Sequence, residues 1–153
     1  MKRVCDHLLV VSITLWAGAM WSVGYIVAPT LFSMVADRGL AGNVAGRLFA
    51  IVGWIGIASA LYVLVFMLVR LGSQALRDGL FWLVAALLLM TLASQYGIQP
   101  MMARMKADAW PREVMQSVMR ERFATWHGIS SILYLIQSVL AIPLIVGVRR
   151  LLR

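Results

Sequence analysis

The sequence predicts an all-α fold, a four-transmembrane-helix bundle that reads as a parallel tandem duplication of a two-helix unit. Three observations predict it: four long stretches without a charged residue, a composition too apolar for a small soluble domain, and a recurrence of marked residues at one offset along the chain.

The composition sets the solvent. Of 153 residues, 62% are hydrophobic and 13% are charged, where a soluble domain carries roughly 25% charged residues. A soluble fold of this size keeps a large share of its surface exposed and could not hide so much apolar area. A lipid bilayer can cover it. The net charge of +8 does not indicate a nucleic-acid partner, because Lys and Arg lie in short segments between apolar runs, as residues flanking membrane spans do. The single cysteine, Cys5, excludes an internal disulfide and gives no zinc-type spacing.

The charge-free stretches are Leu8 to Ala36, Leu48 to Val69, Gly79 to Ala103 and Phe123 to Val148, of 29, 22, 25 and 26 residues. Each exceeds the ~20 residues a helix needs to cross the hydrocarbon core. None shows the two-residue alternation of a barrel strand, so helix is the spanning state in which every backbone group is satisfied. The first run follows Met1-Lys2-Arg3 and is too long for a signal-peptide core, so it reads as a retained span. Residues 1–153 thus form a single transmembrane domain. Beyond the third span, Pro111 suits a helical first turn, and Val114, Met115, Val118 and Met119 recur at helical spacing. They predict a short amphipathic helix on the membrane surface or continuous with the fourth span.

Four spans place both termini on one side. Seven Lys or Arg residues fall on each side, so the count does not orient the chain; Lys2 and Arg3 before the first span favour cytoplasmic termini in a cell's inner (plasma) membrane. "Outer" below means the side opposite the termini.

Tyr25, Pro29, Met34, Ala36 and Asp37 recur as Tyr96, Pro100, Met105, Ala107 and Asp108, displaced by 71 positions. Trp54, Gly56, Ile57, Ser59, Leu61 and Tyr62 recur as Trp126, Gly128, Ile129, Ser131, Leu133 and Tyr134, displaced by 72. Repeated Trp, Tyr, Pro and Gly are not what apolar bias alone produces. The pattern predicts two helical hairpins, about residues 8–71 and 79–148, related by a pseudo-two-fold axis along the membrane normal. Pro29 and Pro100 are expected to kink the first and third helices alike. Gly42, Gly46, Gly53, Gly56 and Gly128 are expected to let helices approach closely.

His127 stands where the first copy has Ile55, so the symmetry is broken by an ionisable residue. His127, Ser131, Tyr134 and Ser138 share one face of the fourth helix, and Thr91, Gln95 and Gln99 share one of the third. Arg47, Arg122, Tyr25 and Tyr96 belong to the same outer level. The functional reading is a polar ligand-binding pocket centred on His127. The alternative is that these side chains hold helices together by hydrogen bonds. Met101 and Met105 beyond Pro100, with His127, are candidates for Cu(I), although methionine equally fills apolar gaps. Bis-histidine haem fails because His7 and His127 begin helices on opposite sides of ~30 Å of hydrocarbon; haem on one histidine lacks a second marker. No nucleophile elbow, phosphate loop, dinucleotide fingerprint or carboxylate cluster is present, so no cofactor or catalysis is predicted.

Trp16-Ala17-Gly18, Tyr25-x-x-Ala28-Pro29-x-Leu31-Phe32, Ala41-Gly42-x-x-Ala45-Gly46-Arg47-Leu48-Phe49 and Arg122-Phe123-x-x-Trp126-His127-Gly128 together resemble the transmembrane protein 205-like family. That resemblance implies a four-span membrane protein and brings no catalytic roles. A looser likeness to copper-resistance D-type membrane domains rests on Trp-x-Gly in the first span and a helix-borne histidine. The functions left open are a ligand-binding or ligand-passing protein, a structural or interaction subunit (with a second copy or another membrane protein as partner), and a copper or haem handling protein.

Overall fold

The computed structural model describes residues 2–107 and 116–152, of which 96% are helical, with no strand among them. Helix α1 (Lys2–Ser22) passes through a π turn (Val23–Val27) into α2 (Ala28–Met34). Helix α3 (Arg38–Leu71) returns and ends in a 3₁₀ turn (Gly72–Arg77). Helix α4 (Gly79–Leu92) passes through a second π turn (Ala93–Ile98) into α5 (Gln99–Ala107), and α6 (Gln116–Leu151) completes the bundle. Four segments are long and apolar enough to cross a membrane: Arg3–Met34, Arg38–Arg77, Gly79–Arg104 and Thr125–Leu151.

Local chemistry sets most of the boundaries. Asp37 caps α3, its Oδ1 accepting from the amides of Gly39 at 2.8 Å and Leu40 at 3.1 Å. Asp78 caps α4 through the amide of Leu80 at 2.9 Å. A side-chain oxygen at this position satisfies amides that the first helical turn leaves free. The second helix therefore starts ten residues earlier than its charge-free stretch, and Gly42 and Gly46 lie within it. α3 stops at Gly72, whose φ of +58° is a left-handed conformation that favours glycine. Leu76 then accepts a 2.9 Å bond from the Trp82 indole, which pins the tight reversal into α4. Pro111, Val114 and Met115 lie outside the described residues, as do the side chains of Val118 and Met119. From Gln116 onward the helix runs unbroken into the fourth span, through Pro143.

The π turns follow from the prolines. Proline has no N–H, and its ring crowds the carbonyl four residues earlier. Ahead of Pro29 the helix widens by one residue, so that the amide of Ala28 bonds the Val23 carbonyl. Ahead of Pro100 the amide of Gln99 bonds the Ser94 carbonyl in the same way. Such π segments are rare in helices and concentrate at functional positions.

The spans form a ring in which α1 packs on α3, α3 on α4, α4 on α6 and α6 on α1. Leu9, Trp16, Val63, Met67, Val84, Leu87 and Leu144 share one buried cluster. Ala17, Met20, Val52 and Ala141 form a smaller one nearer the outer end. Large apolar side chains also point outward, Val11, Val65, Leu89 and Val146 each more than half exposed, as lipid-facing residues do. At the terminus side Arg70 pairs with Asp6 at 2.7 Å and ties α3 to α1.

Gly56 of α3 lies against α1: a Cβ there would be 2.6 Å from the Trp16 indole nitrogen. Gly56→Leu should therefore cost more than the ~1–3 kcal/mol of ordinary overpacking, read as lost folded protein in detergent denaturation. Gly18→Leu, where no described atom lies within 4 Å, should leave stability near that of the parent.

Candidate functional site

The outer half of the bundle contains the residues expected to form a polar pocket, and the structure distributes them unequally. Gln95, in the second π turn, is half-buried. Its Nε2 donates to the Ala50 carbonyl of α3 at 3.2 Å. Its Oε1 lies 2.5 Å from where a Cβ of Gly53 would be, so the glycine makes room for the amide. Tyr134 of α6 is the other interior anchor. Its hydroxyl donates to the Met20 carbonyl of α1 at 2.6 Å, and its ring meets Phe49 of α3 edge-on at 5.0 Å. A side chain at Gly24 would run into that ring. One tyrosine thus joins three helices.

The remaining residues lie away from these anchors. Tyr25 and Tyr96 sit in the two π turns and are 50% and 62% exposed, directed to the outside of the bundle. Tyr96 packs edge-on against Trp54 at 6.0 Å, closing the outside of the α3–α4 seam. Arg47, Arg122 and His127 are exposed, and Gln99 is half-buried where α5 begins. Ser131 is exposed, and its hydroxyl donates to the His127 carbonyl at 2.8 Å in its own helix. Gly46 and Gly128 meet no described atom within 4 Å, so the approach expected at Gly128 is not made among the described residues. Met101 is exposed on α5, and the Met105 side chain lies outside the described residues. No group of three or more His, Cys, Asp or Glu occurs among the described residues, so copper there would depend on thioethers with His127.

Among the described residues four polar side chains are buried: Ser59, Thr91, Gln137 and Ser138. Thr91 donates to the Leu87 carbonyl at 2.7 Å, and Gln137 reaches the Thr91 hydroxyl at 3.5 Å, linking α6 to α4. Ser59 donates to the Ser12 carbonyl at 3.1 Å and Ser138 to that of Tyr134 at 2.9 Å. Trp21 donates to the Ser138 carbonyl at 3.2 Å. No buried side-chain nitrogen or oxygen among the described residues lacks a partner.

Sequence reasoning did not single out Gly24, Trp21, Gln137, or the Asp6–Arg70 pair. The pair had a readable signal, since opposite charges end the first two spans on the same side. Gly24 and Trp21 had none, because their partners are more than a hundred positions away.

A small, all-helical membrane bundle with a polar, proline-shaped outer half is the class these features define. The chain belongs to the family of DUF4149, a domain of unknown function, which residues 11–111 match. The match spans α1 to α5 and ends before α6. Neither the curated proteins nor the solved structures give a match.

Interhelical hydrogen bonds within membranes average about 0.6 kcal/mol. Tyr134→Phe and Gln95→Leu should each destabilise by about that amount, measured by unfolding in mixed micelles, and leave the four-span topology intact. A loss of several kcal/mol at either position would assign it a larger role than joining helices.

Proposed function

We propose that this chain is a non-catalytic membrane subunit that acts by association within the bilayer, with a second copy or with another membrane protein. The observation that carries this reading is the division of labour between inside and outside. The described polar groups of the interior are engaged by backbone carbonyls or by one another. Gly18 and Gly97 are exposed and Gly46 and Gly128 half-buried, and at none of the four does a described atom sit within 4 Å of an added Cβ. Lipid supplies no hydrophobic drive for helices to meet, so close backbone approach at small residues is the principal route to association.

A duplicated hairpin belongs to the same reading. The i−5 bond of Ala28 to Val23 and that of Gln99 to Ser94 stand 71 positions apart, the offset of the sequence recurrence. An inner (plasma) membrane with cytoplasmic termini completes it, supported by Lys2-Arg3 ahead of the first span.

Gly18→Leu and Gly97→Leu, at exposed glycines, should change stability by no more than about 0.5 kcal/mol, as surface substitutions do, while abolishing oligomers or co-purification of a partner. Analytical ultracentrifugation in detergent gives the readout. A parent protein that is strictly monomeric and solitary in lipid, or variants that associate unchanged, would sink the reading.

A second reading, a small ligand bound at the outer end near His127, is favoured by the twin π turns, since such segments concentrate at functional sites. Copper on His127 with Met101 or Met105, or haem on His127, are its cofactor forms. Elemental and optical analysis of protein purified in mild detergent tests both. Metal or a Soret band lost in His127→Ala with assembly intact would favour this reading, and their absence from the parent removes the cofactor forms.

A further inference from the structure

The two seams between the hairpins close differently. The α3–α4 seam is covered on its outside by Trp54 and Tyr96 and bridged by Gln95. Among the described residues the hydrogen bonds across the α6–α1 seam lie in its outer half, Tyr134 on Met20 and Trp21 on Ser138, with Ala17 and Ala141 in one buried cluster below them. Towards the termini it opens into a groove of about 250 Å³. Val10, Ile13 and Thr14 of α1 and Ile145, Val148 and Arg149 of α6 line it, with Leu152 at its end. Ile13 and Val148, 2% and 6% exposed, make the floor, and Val10 and Ile145, 40% and 36% exposed, make the rims. From Ile145 to Leu152 it runs about 10 Å along the helix at 1.5 Å per residue. The β-branched side chains stand stiffly at this level and do not fill the gap between the helix axes.

We infer that this groove is a binding site for one anionic phospholipid of the terminus-side leaflet, an acyl chain lying between α1 and α6 and the phosphate held at Arg149. Polarity and direction both fit. The walls are apolar apart from Thr14 and Arg149, so water gains little there, whereas a hydrocarbon chain is buried at little polar cost. The guanidinium stands at the terminus end, where a headgroup would be, and the groove leads from it towards the middle of the bilayer. Arg presents a planar fork that matches phosphate geometry. Arg150 and Arg3 are exposed at the same end and add to the attraction for an anionic headgroup. The neighbouring acid does not cancel this charge, because Asp6 is engaged by Arg70. A second copy of the chain is a poor occupant: it would bring its own Arg149, Arg150 and Arg3 against these. The site is independent of the outer glycines and of His127.

Native mass spectrometry of the full chain in detergent, with phosphatidylglycerol or phosphatidylcholine of the same acyl chains, tests the inference. One phosphatidylglycerol should be retained at collision energies that strip phosphatidylcholine. Arg149→Gln should weaken its retention about fivefold, the effect of roughly one interfacial cation, while Arg77→Gln at the α3–α4 turn should not. Ile145→Trp, which fills the groove and keeps the charge, should abolish binding; if that variant does not fold, Val10→Phe at the opposite rim serves the same purpose. Equal retention of phosphatidylcholine, equal effects of Arg149→Gln and Arg77→Gln, displacement of the lipid by inorganic phosphate, or disulfide cross-linking of two copies through Val10→Cys in a Cys5→Ser background would each overturn it.

Discussion

In hydrocarbon no water is present to satisfy a backbone N–H or C=O, and each group left unpaired costs several kcal/mol. That constraint makes all four spans helical. It also governs how the chain treats proline. Pro29 and Pro100 each remove an amide from a helix at the outer side. The helix answers by shifting to an i−5 bond just before the ring, at Ala28 and at Gln99. The helix does not break, and the two π turns place tyrosines and Gln95 at the outer level of the bundle. Pro143, by contrast, lies within a continuous α6.

The same constraint explains why the polar side chains of the interior are placed as they are. A buried Ser or Thr can spend its hydroxyl on a carbonyl of its own helix, as Thr91 and Ser138 do, at little cost to the ladder. Longer side chains reach across: Gln95 to α3, Tyr134 to α1, Gln137 to α4. Glycines stand where these larger groups need space, Gly53 under Gln95, Gly24 under Tyr134 and Gly56 under Trp16. Small-residue contacts in this bundle therefore serve helix-to-side-chain packing more than backbone-to-backbone approach. Gly147 likewise stands under Leu80, whereas Gly18 and Gly97 are exposed.

The first two spans and the last two differ in what fills their seams. Gly56 receives the Trp16 indole, whereas Gly128, its counterpart in the recurrence, meets nothing among the described residues. Trp54 pairs with Tyr96 across α3 and α4, while the α6–α1 seam is held by Tyr134 and Trp21 in its outer half and leaves an apolar groove below. A ring with one tight seam and one half-open seam is the outcome, and the open part lies beside a cluster of arginines.

The sequence by itself determined that the chain is a four-helix membrane protein, because charge-free length and apolar content are one-dimensional properties that the bilayer reads directly. Pro29 and Pro100 as perturbed points are local effects acting over four or five residues, and they too are carried by the chain alone; Asp37 and Asp78 emerged as helix caps only from the structure. The candidate site was legible only as a set of residues at one depth. Which of them turn inward was decided by helix rotation and packing: Gln95 and Tyr134 became anchors, while Tyr25, Tyr96, Arg47 and His127 are exposed. The groove between α1 and α6 was not legible at all, since it joins residues more than a hundred positions apart and exists because particular side chains there fail to fill the space. The bilayer selects for four apolar helices whatever their order along the membrane plane; only close contact between their surfaces settles what meets what.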